Sequence, residues 1–198
     1  MPYSQFTLSK AKKAFDLTIV EDSRFFPEIE SISPSPRLAS ELEDLPWTIA
    51  VGSEKARSEA IVYPVLQEVR RILNRQISLF SGREFNVDST CDLTGYVDFL
   101  ISHSPEQLII EAPVVVVTEA KKADLNEGLG QCVAEMVAAQ RFNETSENII
   151  STIYGVVSSG TQWRFMKLER QTVTIDLTDY PLPPADQILG FLVWMVKV

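Results

Sequence analysis

The sequence predicts an α/β domain with a mixed central sheet flanked by helices, three-layered or nearly so. Two observations predict it. From Ser53 onward, helix patterns alternate with short apolar runs in the order α-β-β-β-α-β, followed by β-β-α. The apolar runs are bounded by Gly, Pro and Ser and are enriched in β-branched and aromatic residues, as buried strands are.

The first 52 residues are less patterned and read as an N-terminal extension packing on a core domain of residues 53–198. "TLSKAKKAF" suits a short helix. "SISPSPRLAS" is a Pro/Ser connector, with Ser35 near the cap of a second short helix. The long helix is "SEKARSEAIVYPVLQEVRRILNRQ", with Ser53 as N-cap and acid in its first turn. Its stripe runs through Glu59, Val62, Leu66, Val69 and Leu73, so a carboxylate occupies a position expected to be buried. Pro64 should kink the helix.

"GREFNVDST" alternates like a strand, and "GYVDFLIS" is a second strand with Asp98 in its middle. "HSPEQLIIEA" connects it to "PVVVVTEAKK", an apolar strand that runs straight into charge. Pro113 opens that strand, where a missing N–H is tolerated. "ADLNEGLGQCVAEMVAAQRF" is a helix opened by Asp124 and Glu127 in a variant of the capping box. Its two glycines allow close backbone approach to something. "NIISTIYGVVSSG" is another buried strand. "TQWRFMKLE" and "TVTIDL" form a hairpin, and "PPADQILGFLVWMVKV" is a C-terminal amphipathic helix.

Bulk properties narrow the function. The chain has 198 residues, 45% of them apolar and 23% charged, enough for a real core. No apolar run approaches a membrane span, and the N-terminus lacks the apolar segment of a secretory signal, so a cytoplasmic protein is expected. Two cysteines, Cys91 and Cys132, make no disulfide framework and read as free thiols. A single histidine, His103, leaves a His/Cys zinc site and a Ser-His-Asp triad without support. Net charge is −9, which argues against coating nucleic acid through a broad basic surface. Residues 53–85 nevertheless hold six basic and four acidic groups. Arg70, Arg71, Arg75 and Arg83 are among them, and a solvated helix face accounts for them on charge patterning alone.

The chemistry concentrates on two strands. Alternation puts Tyr96, Asp98 and Leu100 on one face, and Val115, Val117, Glu119 and Lys121 on one face of the later strand. If the strands are neighbours, Asp98, Glu119 and Lys121 converge. Two close carboxylates repel and raise each other's pKa, and a hard divalent cation relieves that. The backbone carbonyl of Ala120 would be a third protein ligand. Lys121 would stand beside the attacking water, orienting it or stabilising charge on a phosphate.

Asp98 in "GYVDF", Glu119 and Lys121 in "TEAKK", and the α-β-β-β-α-β order resemble the PD-(D/E)xK nuclease superfamily, the restriction-endonuclease-like fold. The resemblance covers roughly residues 53–168. It implies a Mg²⁺ (or Mn²⁺) dependent nuclease that hydrolyses DNA phosphodiester bonds, with Asp98, Glu119 and Ala120 on the metal. It also assigns Glu59 to the acidic position on the first core helix and Gln131 to the helix after the Glu-x-Lys strand. "SSGTQWRF" is similar to a hairpin of related nuclease domains. Two departures stand out: Val97 precedes Asp98 where Pro is common, and Glu135 occupies the Tyr position of a Gln-x-x-x-Tyr branch.

Plainer roles exist for each residue. Glu119 and Lys121 could mark a strand reaching solvent, Asp98 an edge position or turn bond, Glu59 a side chain snorkelling near Pro64, and Gln131 an ordinary polar helix residue. Lys122 would be solvated or near phosphate. The competing functions are a nuclease, a catalytically silent nuclease-fold protein acting as an interaction or oligomerisation module, and a nucleic-acid-binding module without cleavage. The apolar C-terminal helix hints at a homodimer.

Overall fold

In the computed structural model, which describes residues 2–22, 24–121, 124–148 and 150–197, the helix that starts at Ser53 forms in three pieces. The Ser53 hydroxyl accepts from the Ala56 N–H at 3.0 Å and caps α4 (Glu54–Arg57). A single π turn follows, Ser58–Val62, in which the Tyr63 N–H reaches back five residues to the Ser58 carbonyl. The chain continues as α5 (Tyr63–Ile72). Proline at position 64 donates no hydrogen bond and crowds the carbonyl four residues earlier. The wide turn just ahead of it absorbs that conflict by accommodating one extra residue.

The N-terminal segment does more than pack on the core. It supplies α1 (Leu8–Ala14), then β1 (Thr18–Asp22), and further on α2 (Pro36–Glu43) and α3 (Leu45–Val51). β1 pairs in parallel with β7 (Thr172–Asp176) and forms one edge of the sheet. Its sequence TIVED is largely exposed, so no apolar run announced it. The Ser35 cap of α2 forms as expected, accepting from the Leu38 N–H.

The other strands are β2 (Ser78–Glu84), β3 (Tyr96–Ser102), β4 (Val114–Ala120), β5 (Ile153–Ser158), β6 (Gln162–Glu169) and the two-residue β8 (Tyr180–Pro181). Sheet order is β1-β7-β6-β5-β4-β3-β2, with β8 paired to β6. β2-β3-β4 is antiparallel, β4 and β5 are parallel, and β5-β6-β7 is antiparallel again. A parallel pair needs a crossover, and α6 (Asn126–Thr145) provides it. β2 begins at Ser78, earlier than the expected strand. Residues 85–95 are instead irregular apart from a short turn, Ser89–Cys91.

One face of the sheet packs against α5 and α7 (Asp186–Lys197), the other against α6 and the first residues of the chain. β4 is covered on both sides, and every one of its residues is buried. That explains its unbroken valines: a central strand has no solvent face to alternate toward. α7 spends its apolar surface within the chain, burying Ile188, Leu189, Phe191, Leu192 and Val193, which accounts for its hydrophobicity by core packing. Among the described residues no helix is long and apolar enough to cross a membrane. Cys132 is a buried free thiol, Cys91 a half-buried one.

One expected face is wrong. Val115 does not share a side with Val117. The β3–β4 register shifts so that Ile101 faces Val116 while Ser102 faces Val114. The unpaired Val115 turns toward the α5/α7 side, whereas Val114 and Val117 face α6. A bulge of one residue reverses the alternation behind it. Asn143, near the end of α6 and 1% exposed, pins the strand there. Its Oδ1 accepts from the Val114 N–H at 2.7 Å and its Nδ2 donates to the Val114 carbonyl at 2.8 Å. Replacing it leaves two buried backbone groups unpaired. Asn143→Ala is expected to cost about 2 kcal/mol, read as a lower urea midpoint with an unchanged slope.

Candidate active site

Beyond the bulge the alternation is regular, and it delivers two carboxylates side by side. Phe99 faces Thr118 across β3 and β4. The next positions outward are Asp98 and Glu119, which therefore leave the same side of the sheet. The Oδ2 of Asp98 accepts the Ala120 N–H at 2.9 Å. A residue's N–H and C=O point toward the same neighbour in an extended strand, so the Ala120 carbonyl also faces β3. The Lys121 N–H bonds to the Ser158 carbonyl at 2.8 Å and fixes the strand's exit on the β5 side.

Glu119 is the centre of the cluster. It is 2% exposed, and both its oxygens are held. Lys121 Nζ donates to Oε1 at 2.5 Å, and Gln131 Nε2 donates to Oε2 at 2.6 Å. Gln131 also donates to Oε1 of Glu135 at 3.0 Å, and its own Oε1 lies 3.4 Å from Lys121 Nζ. A continuous polar chain thus runs from Lys121 through Glu119 and Gln131 to Glu135. Gln131 is no ordinary surface residue: it is buried and ties α6 to β4.

Two glycines make this approach possible. A methyl on Gly128 would stand 2.6 Å from Val157 Cγ1 and 3.1 Å from Lys121 Cγ. A methyl on Gly130 would stand 2.2 Å from the Thr7 carbonyl carbon. The first turn of α6 therefore lies directly on the stems of the site, and the second against the backbone that leads into α1.

Electrostatics follow from burial. Burial, then the neighbouring Asp98 charge, pushes Glu119 up to about 8, with Lys121 opposing both. Burial disfavours the Lys121 ammonium, but Glu119, with Glu54 and Asp98 behind it, outweighs this and raises its pKa. Glu135 is fully buried, and its Oε2 has no hydrogen-bond partner among the described residues. Burial, then Glu119, holds it well above the ordinary carboxylate range. The Cys132 thiol, one position after Gln131, is raised by its burial and by Glu135.

Glu59 does not belong here. Its side chain is 67% exposed and pairs with Lys55 at 3.7 Å, one helical turn earlier. The cause is the π turn. The extra residue shifts the helical face, so the positions aligned with Val62 fall one earlier than regular spacing predicts. The acidic residue whose charge reaches Glu119 and Lys121 is Glu54. Beside it on the same turn, Arg57 donates from Nη1 to the Ser159 carbonyl at 3.3 Å. Lys122 lies outside the described residues.

Sequence reading missed two residues of the cluster. Glu135 was visible as the fourth residue after Gln131, hence on the same helical face, but only as a departure from Tyr. Glu54 was hidden by the face shift. Among the described residues no group of three or more His, Cys, Asp or Glu side chains is placed to hold a metal. The available donors are the Asp98 and Glu119 carboxylates and the Ala120 carbonyl. That set suits a hard divalent cation that retains several waters, since such an ion is commonly held by only one or two carboxylates. No protein-family model, curated protein or solved structure matches the chain.

Proposed function

We propose that this protein is a divalent-cation-dependent nuclease of the PD-(D/E)xK, restriction-endonuclease-like kind, acting on DNA phosphodiester bonds. The carrying observation is the Asp98–Glu119 pair with Lys121 on Glu119 at the end of a fully buried strand. Burying a carboxylate beside another acid and a lysine does little for stability, because desolvation offsets the attraction. Groups held at that cost, with a strongly displaced pKa, cluster at reactive sites.

Mg²⁺ or Mn²⁺ at Asp98, Glu119 and the Ala120 carbonyl would acidify a bound water and neutralise charge on the phosphate. Lys121 then holds the attacking water in line and offers its ammonium to the phosphate oxygens as negative charge builds there. Gln131 fixes the Glu119 rotamer, and β4, covered on both faces, makes the support rigid. The order α5-β2-β3-β4-α6-β5, with β2-β3-β4 antiparallel and β4 parallel to β5, agrees with this fold family.

The test is cleavage of plasmid and single-stranded DNA with Mg²⁺ or Mn²⁺ by the wild type, Asp98→Ala and Lys121→Ala. Both variants are expected to lose activity by on the order of 100-fold or more. Equal cleavage by all three would identify a contaminant. Absence of cleavage together with absence of a metal-dependent thermal shift would leave the interaction module as the reading.

A further inference from the structure

On the opposite face of the sheet from this site, a second cluster has a chemistry of its own. Arg37, Arg70, Arg71 and Arg75, with Tyr63 and Gln67, line a cleft of about 250 Å³. Four guanidinium groups converge in a chain whose net charge is −9. They come from three places: α2, the last turn of α5, and the second residue beyond its cap.

Cations in the last turn of a helix complement its carbonyl end, and that accounts for Arg70 and Arg71. It does not account for Arg37, brought in by α2, or for Arg75. The helix ends in a Schellman arrangement, with the Arg75 N–H on the Arg70 carbonyl at 2.8 Å and the Asn74 N–H on the Arg71 carbonyl at 2.9 Å. Asn74 and Arg75 take φ of 52° and 58°. Asn tolerates this conformation, whereas Arg is strained in it. The turn brings Arg75 back over Arg70 and Arg71.

Not all of this charge is spoken for. Arg37 pairs with Glu41 at 2.9 Å, and Arg71 with Glu68 at 3.2 Å and with Gln67. Glu68 is itself fixed by the Ser35 N–H at 2.9 Å. Arg70 uses Nε, on the Ile77 carbonyl at 3.0 Å, and among the described residues its terminal nitrogens make no hydrogen bond. The Arg75 side chain makes no hydrogen bond or ion pair among the described residues. Guanidinium forks match the geometry of phosphate oxygens and bind them bidentately. The cleft is smaller than the ~300–1,000 Å³ typical of sites that enclose a drug-sized ligand, and it has ample room for a phosphate group.

We infer that this cleft is a binding site for a phosphate group, carried by a free phosphate or by the terminal phosphate of a nucleotide chain. The inference is independent of the reading of Asp98 and Glu119. The experiment uses the full chain in EDTA. Sodium phosphate is titrated against sodium chloride of equal ionic strength, with binding read by calorimetry and thermal shift. Phosphate is expected to bind saturably and raise the melting temperature. Arg75→Gly, which suits the positive φ and breaks no contact, should weaken binding about tenfold, as for the loss of one charge-assisted donor. Arg37→Gln/Arg75→Gly should abolish it. A second arm compares a 5′-phosphorylated dinucleotide with its 5′-hydroxyl form. A preference that Arg75→Gly removes makes the source a nucleotide end, and binding of phosphate alone makes it the free ion. No shift beyond chloride, or equal affinity in the double variant, overturns the inference.

Discussion

Raising the pH from 5 to 8 without divalent cations is expected to destabilise the folded protein by several kcal/mol, and Glu119→Gln to remove on the order of 3 kcal/mol of that. In the unfolded chain Glu119 ionises near pH 4.5. In the folded protein it holds its proton until about 8, because burial and Asp98 oppose its charge. Below the unfolded value both states are protonated and the site costs nothing. Between the two values the unfolded chain binds fewer protons than the folded one, so stability falls as pH rises and levels off only above the folded value. Glu135 moves in the same direction for the same reason. Thermal melts in EDTA at pH 5, 6, 7 and 8 measure the slope. A flat profile in the wild type would show that Glu119 is charged throughout. Adding Mg²⁺ at pH 8 should restore part of the loss in the wild type and none in Glu119→Gln, because only the ionised acid rewards a cation.

Gly130→Ala is expected to destabilise the protein by about 3 kcal/mol, against a helix propensity that favours Ala by about 1 kcal/mol. The added methyl would meet the Thr7 carbonyl carbon at 2.2 Å, the Leu8 nitrogen at 2.4 Å and the Phe6 oxygen at 2.4 Å. All three are backbone atoms at the entry to α1, so no rotamer change relieves the overlap. Either the N-terminal segment lifts or α6 shifts, and Gln131 moves with α6. Gly128→Ala meets side-chain atoms instead, Val157 Cγ1 at 2.6 Å and Lys121 Cγ at 3.1 Å, and its cost should be clearly smaller. Urea midpoints rank the two. Hydrogen exchange at Phe6–Ala14 locates the change, and unaltered protection there in Gly130→Ala would refute the assignment.

Much of this molecule is written in local pattern. Ser53 and Ser35 cap where a hydroxyl before a helical stripe should. The valines of β4 announce a strand covered on both faces. Asp98 mid-strand and Glu119 at a strand end are recognisable because a carboxylate has no reason to sit there without a partner. The two glycines of α6 signalled close contact before the contacting atoms were known. What local pattern determined, then, was the identity and order of the core elements and three charged residues, Asp98 within β3 and Glu119 and Lys121 at the end of β4.

Tertiary structure decided the rest, for reasons that periodicity does not carry. A bulge at Val115 and a π turn at Ser58–Val62 each insert one residue, and each reverses or rotates every face assignment beyond it. That is why Val115 changed sides and why the charge of Glu54, not that of Glu59, reaches Glu119 and Lys121. β1 is an exposed edge strand, so its pairing with β7 comes from backbone hydrogen bonds that any sequence can make. Glu135 acquires its displaced pKa only because the packing of α6 removes it from water and sets it near Glu119, and burial is a property of the whole fold. The four arginines meet for the same reason. Arg37 lies far from the others in the chain, and only the docking of α2 against α5 brings it to the cleft.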